Sequence, residues 1–182
     1  MTDPSSDKMT GESMTELTED QVLKIMAGYG NNSQQLIAIL LDIQDASGRN
    51  YVEQKWSDLA ARVLEVPLSK IYDILTFYAM FSTEPRGEYV VEICQSTPCH
   101  FIRAEELVGW FEEAAGIKIG ETTADGKITL FRTSCVGACD IGPVAKIGED
   151  VFGNLTPEKV KTLVRSYRED KPALREALLC PN

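Results

Sequence analysis

The chain has 182 residues, 43% hydrophobic and 25% charged, a balance typical of globular proteins that excludes disordered and fibrous classes. Eighteen Lys and Arg against 28 Asp and Glu leave a formal charge of -10, which opposes binding to nucleic acid or anionic lipid and suits a basic partner surface. Five cysteines are too few for a disulfide-built secreted scaffold, no signal segment opens the chain, and no apolar run nears the roughly 20 residues that span a bilayer, so a reducing cytoplasm without membrane insertion is expected.

Residues 1–14 are polar and aperiodic and read as a flexible tail. Thr18 and Gln21 have capping-box spacing before Val22, Leu23, Ile25 and Met26, which predicts a helix ending near Gly28 or Gly30. Ser33 is the expected cap of a second helix, whose apolar stripe is Leu36, Ile37, Leu40, Leu41 and Gln44 and which stops around Gly48. Trp56, Leu59, Ala60, Val63 and Leu64 mark a third helix ended by Pro67, and Ser69 is the expected cap of a fourth that turns Ile71, Ile74, Leu75 and Tyr78 inward. Short connections make residues 15–84 a small helical bundle.

The pattern changes after Gly87. Tyr89 to Ile93 is a β-branched run that delivers the chain to Cys94, and a helix is expected to begin around Cys99 and carry Leu107, Val108, Trp110, Phe111 and Ala114 to its end at Gly116. Asp125-Gly126 signals a turn, and the alternation from Ile128 to Phe131 marks a strand leading toward Cys135. Val144 to Ile147 and Val151-Phe152 read as a hairpin joined around Gly148-Glu149-Asp150, and Thr156 with Pro157 opens a last helix. Residues 85–170 thus form a domain with a mixed sheet, the whole chain is α+β, and residues 171–182 are a C-terminal tail.

Cys94 and Cys99 are separated by four residues, Cys135 and Cys139 by three, and each pair follows a predicted strand. Adjacent strands can deliver both pairs to one sheet edge. Three readings compete: two disulfides, a four-thiolate zinc site, or an iron–sulfur cluster. Sparse cysteine in a reducing compartment argues against disulfides. Zinc knuckles favour tighter two-residue spacing, whereas a cluster fills a larger volume and accepts wider loops. The single histidine, His100, excludes sites needing two imidazoles and is expected at the surface rather than on a metal. Gly137 and Ala138 are small enough to bring backbone N–H groups near sulfur, and the helix at Cys99 would add its dipole.

The segments ICQSTPCHFIRAEEL (93–107), GIKIGETTADGKITL (116–130), SCVGACDIGPV (134–144) and FGNLTPEKV (152–160) closely resemble the thioredoxin-like [2Fe–2S] subunit of NADH dehydrogenases. LTFYAMFSTEPRGEY (75–89) is similar to that family's link between bundle and ferredoxin domain, and the resemblance runs from about residue 33 to 168. It implies a thioredoxin-like ferredoxin domain behind the bundle, with one [2Fe–2S] cluster on Cys94, Cys99, Cys135 and Cys139. It also implies a partner subunit that carries FMN and NAD(H) within a larger oxidoreductase complex. The chain itself has no G-x-G-x-x-G loop and no P-loop, so NADH oxidation is expected of the partner and not of this chain alone. The resemblance extends to NAD(P)-linked or electron-bifurcating hydrogenases, formate dehydrogenases and transhydrogenases as well as respiratory quinone reductase. A zinc-stabilised interaction module is the non-redox rival, and thiol–disulfide exchange is opposed by the missing C-x-x-C motif.

The remaining conspicuous residues have plainer expectations. Cys180 reads as a free tail thiol. Trp56, Phe77, Tyr78 and Phe81 have helical spacing suited to core or interface packing. Glu105-Glu106 and Glu112-Glu113 read as a solvated helix face, and Pro143 stands where thioredoxin-like folds place a structural proline.

Overall fold

The N-terminal half opens with α1 (Glu19–Gly28), held by the expected capping box: Thr18 N–H donates to Gln21 Oε1 at 2.9 Å and Gln21 N–H to Thr18 Oγ1 at 3.4 Å. The computed structural model describes residues 17–170, so the expected tails at 1–14 and 171–182, and Cys180, lie outside the described residues. A single 3-10 turn, Ser33–Gln35, precedes α2 (Leu36–Ala46). Asn32, and not Ser33, caps that turn, its Oδ1 accepting from Gln34 N–H at 2.9 Å. The buried face of α2 is Leu36, Ile39, Leu40, Ile43 and Gln44, while Ile37 is exposed and Leu41 half-buried, a rotation of the expected stripe. The run from Leu36 to Leu41 is almost continuously apolar, so periodicity alone does not choose its inner side.

Helix α3 (Gln54–Val63) buries Trp56, Leu59 and Ala60, and the left-handed Glu65 (φ 53°) ends it ahead of Pro67. Helix α4 (Leu68–Phe77) starts directly after Pro67, whose carbonyl accepts from Lys70 N–H at 3.0 Å; Ser69 lies inside the first turn and caps nothing. Val22, Met26, Ile39, Leu40, Ile43, Ala60 and Ile71 form the fully buried centre of this four-helix core.

Residues 80–88 run between this core and the second one. The buried Gln44 amide donates to Met80 O and accepts from Ser82 N–H, both at 2.9 Å. Arg86 N–H donates to Arg49 O at 2.8 Å, and Asn50 Nδ2 donates to Gly87 O at 2.7 Å. On the opposite side Gly87 N–H donates to Thr129 Oγ1 at 2.6 Å, and the Arg86 guanidinium lies 4.6 Å from the Phe131 ring centre.

The second half is a four-stranded mixed sheet in the order β2-β1-β3-β4, made of β1 (Tyr89–Cys94), β2 (Ile128–Thr133), β3 (Ala145–Ile147) and β4 (Asp150–Phe152). Strands β1 and β2 are parallel, and the other two pairings are antiparallel. A parallel pair needs a long crossover. Two helices supply it, α5 (Thr97–Phe101) and α6 (Ala104–Ala115), where one helix from Cys99 was expected. The break falls at Arg103, which takes φ 75°, so Ala104 and Leu107 enter the core while Phe101 and Ile102 stay 82% and 44% exposed.

The Asp125-Gly126 turn is present, with Gly126 at φ 71° and its N–H on Thr123 O at 2.8 Å. In the β3–β4 hairpin only Gly148 and Glu149 form the loop, because Asp150 pairs with Ile147, and Val144 precedes the strand. Helix α7 (Pro157–Arg168) begins as expected, Thr156 Oγ1 accepting from Lys159 N–H at 3.3 Å. Helices α6 and α7 pack on each other and share one core with inward residues of all four strands, among them Leu107, Phe111, Ile128, Leu130, Phe152 and Leu163. Among the described residues no helix is long and apolar enough to cross a membrane.

Candidate metal centre

Parallel pairing of β1 with β2 sets Cys94 opposite Thr133, so both strands end at the same sheet edge. Gln95 N–H extends the ladder one step, donating to Thr133 O at 3.0 Å. Cys94 closes β1, Cys99 sits within α5, Cys135 follows β2 by two residues, and Cys139 opens a 3-10 turn, Cys139–Ile141. All four thiols are free.

The Cys135 and Cys139 sulfurs are 4.0 Å apart. The two pairs are close enough for negative charge on Cys139 to push Cys99 up. Exposure is graded: Cys94 and Cys99 are 1% and 0% exposed, Cys139 is half-buried, and Cys135 is open to solvent.

The surroundings of Cys94, Cys99 and Cys139 tilt their ionisation. Burial pushes the Cys94 thiol up, but donors outweigh it and hold the group below the usual thiol value: Ser96 N–H, the Cys99 thiol, Val136 N–H and the Ser96 hydroxyl. Burial first, then the bond to Cys94, pushes Cys99 up despite a donor from Val144 N–H. The bond with Cys135 is the main cause that raises Cys139.

Gly137 and Ala138 stand between Cys135 and Cys139 as expected, in the loop that joins them. Gly137 supplies the φ of 86° that turns this loop. The expected dipole of a long helix at Cys99 is reduced to one short turn, with Cys99 inside it. A Cβ added to Gly142 would stand 3.3 Å from Cys139 O and 3.7 Å from Cys99 Sγ, and the Gly142–Pro143 peptide is cis.

The donor set is all sulfur, the ligand type of zinc–thiolate and iron–sulfur sites alike. Two sulfurs on one tetrahedral metal at about 2.3 Å lie roughly 3.8 Å apart, close to the observed Cys135–Cys139 separation. Yet among the described residues no group of three or more His, Cys, Asp and Glu side chains gathers as ligands of one ion would. Four free thiolate-forming cysteines are the donor type that a two-iron cluster takes.

The other conspicuous residues lie elsewhere. His100 is exposed, beside the Phe101 ring. Glu105 binds Arg132 through two bonds of 2.7 and 2.8 Å, Glu112 accepts from Lys118 Nζ at 2.7 Å, and Glu113 pairs with Lys161 at 2.9 Å, so the expected solvated face is also an ion-paired one. Trp56 and Phe81 are core, Tyr78 packs on that core, and Phe77 is 80% exposed.

The model of the thioredoxin-like [2Fe–2S] ferredoxin family matches residues 22–168. A component of the NADH-quinone oxidoreductase of Rickettsia felis is 34% identical over 154 residues, covering 85% of this chain and 90% of that one. The HndA component of the NADP-reducing hydrogenase of Solidesulfovibrio fructosivorans is 31% identical over 147 residues, covering 81% and 85%. Among solved structures, an NAD+-reducing [NiFe]-hydrogenase in the air-oxidized state has a similar fold, with a TM-score of 0.69 at 17% identity. That likeness covers 84% of this chain, which spans 26% of the hydrogenase chain. By the extent of these matches, the chain belongs to the thioredoxin-like [2Fe–2S] ferredoxin family.

Proposed function

We propose that this chain is an electron-transfer subunit holding one [2Fe–2S] cluster through Cys94, Cys99, Cys135 and Cys139, in a multi-subunit NADH-dependent oxidoreductase. What carries this reading is that the parallel strands β1 and β2 bring Cys94 and Cys135 to one sheet edge, each followed within five residues by a second free thiol, in a chain of this family. When bound, such a group takes up and returns one electron at a time. The chain's part is to hold it and to shield the Cys94 and Cys99 side from water. Backbone donors aimed at sulfur would favour the more negative, reduced state, whereas the acidic composition opposes it.

The exposed edge suits exchange with a partner. Cys135 is open to solvent, and Phe101 and Ile102 are exposed two and three residues beyond Cys99. FMN and NAD(H) are assigned to a flavin-bearing partner subunit that covers this edge, since the sequence carries no nucleotide-binding loop. The names of the relatives support two settings, quinone reduction and NAD(P)-linked hydrogen metabolism. Reduced thiols suit a cytoplasmic location.

The test is anaerobic reconstitution followed by iron and acid-labile sulfide analysis, visible absorption and low-temperature EPR. Two irons and two sulfides per chain, with an EPR signal on reduction, are expected. A colourless protein holding stoichiometric zinc would establish the interaction module instead. Cys99→Ala should lose stable cluster binding, because three thiolates leave one iron open; a full cluster in that variant would refute the ligand assignment.

A further inference from the structure

We propose that the outer face of the sheet and helix α2 form a docking cleft for an extended segment of the partner subunit rich in Lys and Arg, an inference that rests on the partner assigned above. Strand register builds the first wall. Glu92 pairs with Phe131 on one side and Lys146 on the other, and Lys146 pairs with Val151, so these four residues form one row across the whole sheet. Side chains alternate between the two faces of a strand. The flanking Val91, Ile93, Leu130, Ala145, Ile147 and Phe152 belong to the core shared with α6 and α7, so the row looks away from those helices.

Helix α2 supplies the second wall. Leu41 and Asp42 stand four and three residues before Asp45, on one side of that helix, and line the same space as Glu92, Lys146 and Val151. The cleft between the walls has a volume of about 1240 Å3. Small-molecule pockets have about 300–1,000 Å3 and mostly apolar walls. This cleft is larger and charged: Asp42, Asp45, Glu88, Glu92, Glu149 and Asp150 stand against the cations Arg86 and Lys146.

Charge complementarity selects the occupant. Lys127 takes Glu88 at 2.9 Å and Lys146 stands 3.9 Å from Glu92, but among the described residues no cation pairs with Asp42, Asp45 or Glu149. Partial burial, then the neighbouring Asp42, pushes the Asp45 carboxyl up, a conflict that an incoming cation relieves. Among the described residues the acids do not gather as ligands of one metal ion would. They are spread from α2 to the β3–β4 hairpin, which matches a chain carrying several cations. Leu41, Val151 and the 48% exposed Met80 offer apolar surface to the stems of long basic side chains. Cys135 lines the same cleft, so its occupant lies against the open side of the candidate metal centre.

The test has two arms, both on the full chain. In the first, a fluorescent peptide of alternating lysine and valine is titrated with the chain and followed by anisotropy. Asp45→Asn and Glu149→Gln should each raise its Kd about two- to fivefold, the size expected of exposed ion pairs. Glu113→Gln and Glu158→Gln remove the same charge outside the cleft and should leave the Kd unchanged. In the second arm, the complex with the flavin-bearing subunit is purified through a tag on this chain, and its Kd is measured with the same variants. The same ranking is expected. In either arm, equal weakening by cleft and control variants, or none by the cleft variants, would overturn the proposal. A chain that co-purifies with no flavin-bearing subunit would instead count against the partner reading on which the proposal rests.

Discussion

Replacing Gly153 with alanine puts a methyl group against the turn that carries Cys139. The added Cβ would stand 2.4 Å from Ile141 O and 2.6 Å from Ile141 Cβ and Cγ1, where ordinary contact begins near 3.4 Å. The overlap is about 1 Å against backbone and branched carbon, which no rotamer change removes. Gly153 is buried, and Asn154 N–H donates to Ile141 O at 2.8 Å, so the segment leaving β4 and the turn Cys139–Ile141 are tied together. Overpacking of this kind costs about 1–3 kcal/mol. At about 2–4 °C per kcal/mol for a chain of this size, the upper figure lowers Tm by roughly 6–12 °C. The assay is thermal unfolding of the reduced, metal-free chain by circular dichroism, followed by iron analysis after reconstitution. Iron should fall as well, because the displaced turn carries a thiol of the site. Gly109→Ala is the control: Gly109 lies exposed in α6 with nothing within 4 Å of the added carbon, so it should gain about 0.5–1 kcal/mol. Equal midpoints for Gly153→Ala and the unmodified chain, with full iron, would falsify this account of how the turn is held.

The Arg132 hydrogen bonds hold the Glu105 carboxyl below the usual range. Its stabilising effect is therefore complete above the unfolded value of about 4.3 and is lost as pH falls through the lower folded value. Glu105→Gln should show a smaller loss of urea midpoint between neutral and acid pH, and an identical loss would show that the pair does not act. Asn50→Ala removes bonds of 2.7 and 3.1 Å to Gly87 O and Glu88 O; about 1–2 kcal/mol of stability should go, read as a lower urea midpoint at unchanged slope. If the acidic chain docks on a basic flavin subunit, their measured Kd should weaken steadily as salt rises; a salt-insensitive Kd would assign docking to apolar packing through exposed residues such as Phe101 and Phe77.

What the sequence determined by itself is the chemistry and the punctuation. The four cysteines after two strands, the Thr18–Gln21 box, the Thr156-Pro157 start and the Asp125-Gly126 turn all appear in the structure where the residues place them. Caps and turns are decided within three or four residues, so the local sequence contains the whole interaction. Only the tertiary structure decided the inner face of α2, the break at Arg103 and the burial gradient from Cys99 to Cys135. Each of these depends on groups brought together by strand pairing or core packing. Desolvation and hydrogen bonding at a sulfur are sums over neighbours distant along the chain, which no local pattern encodes.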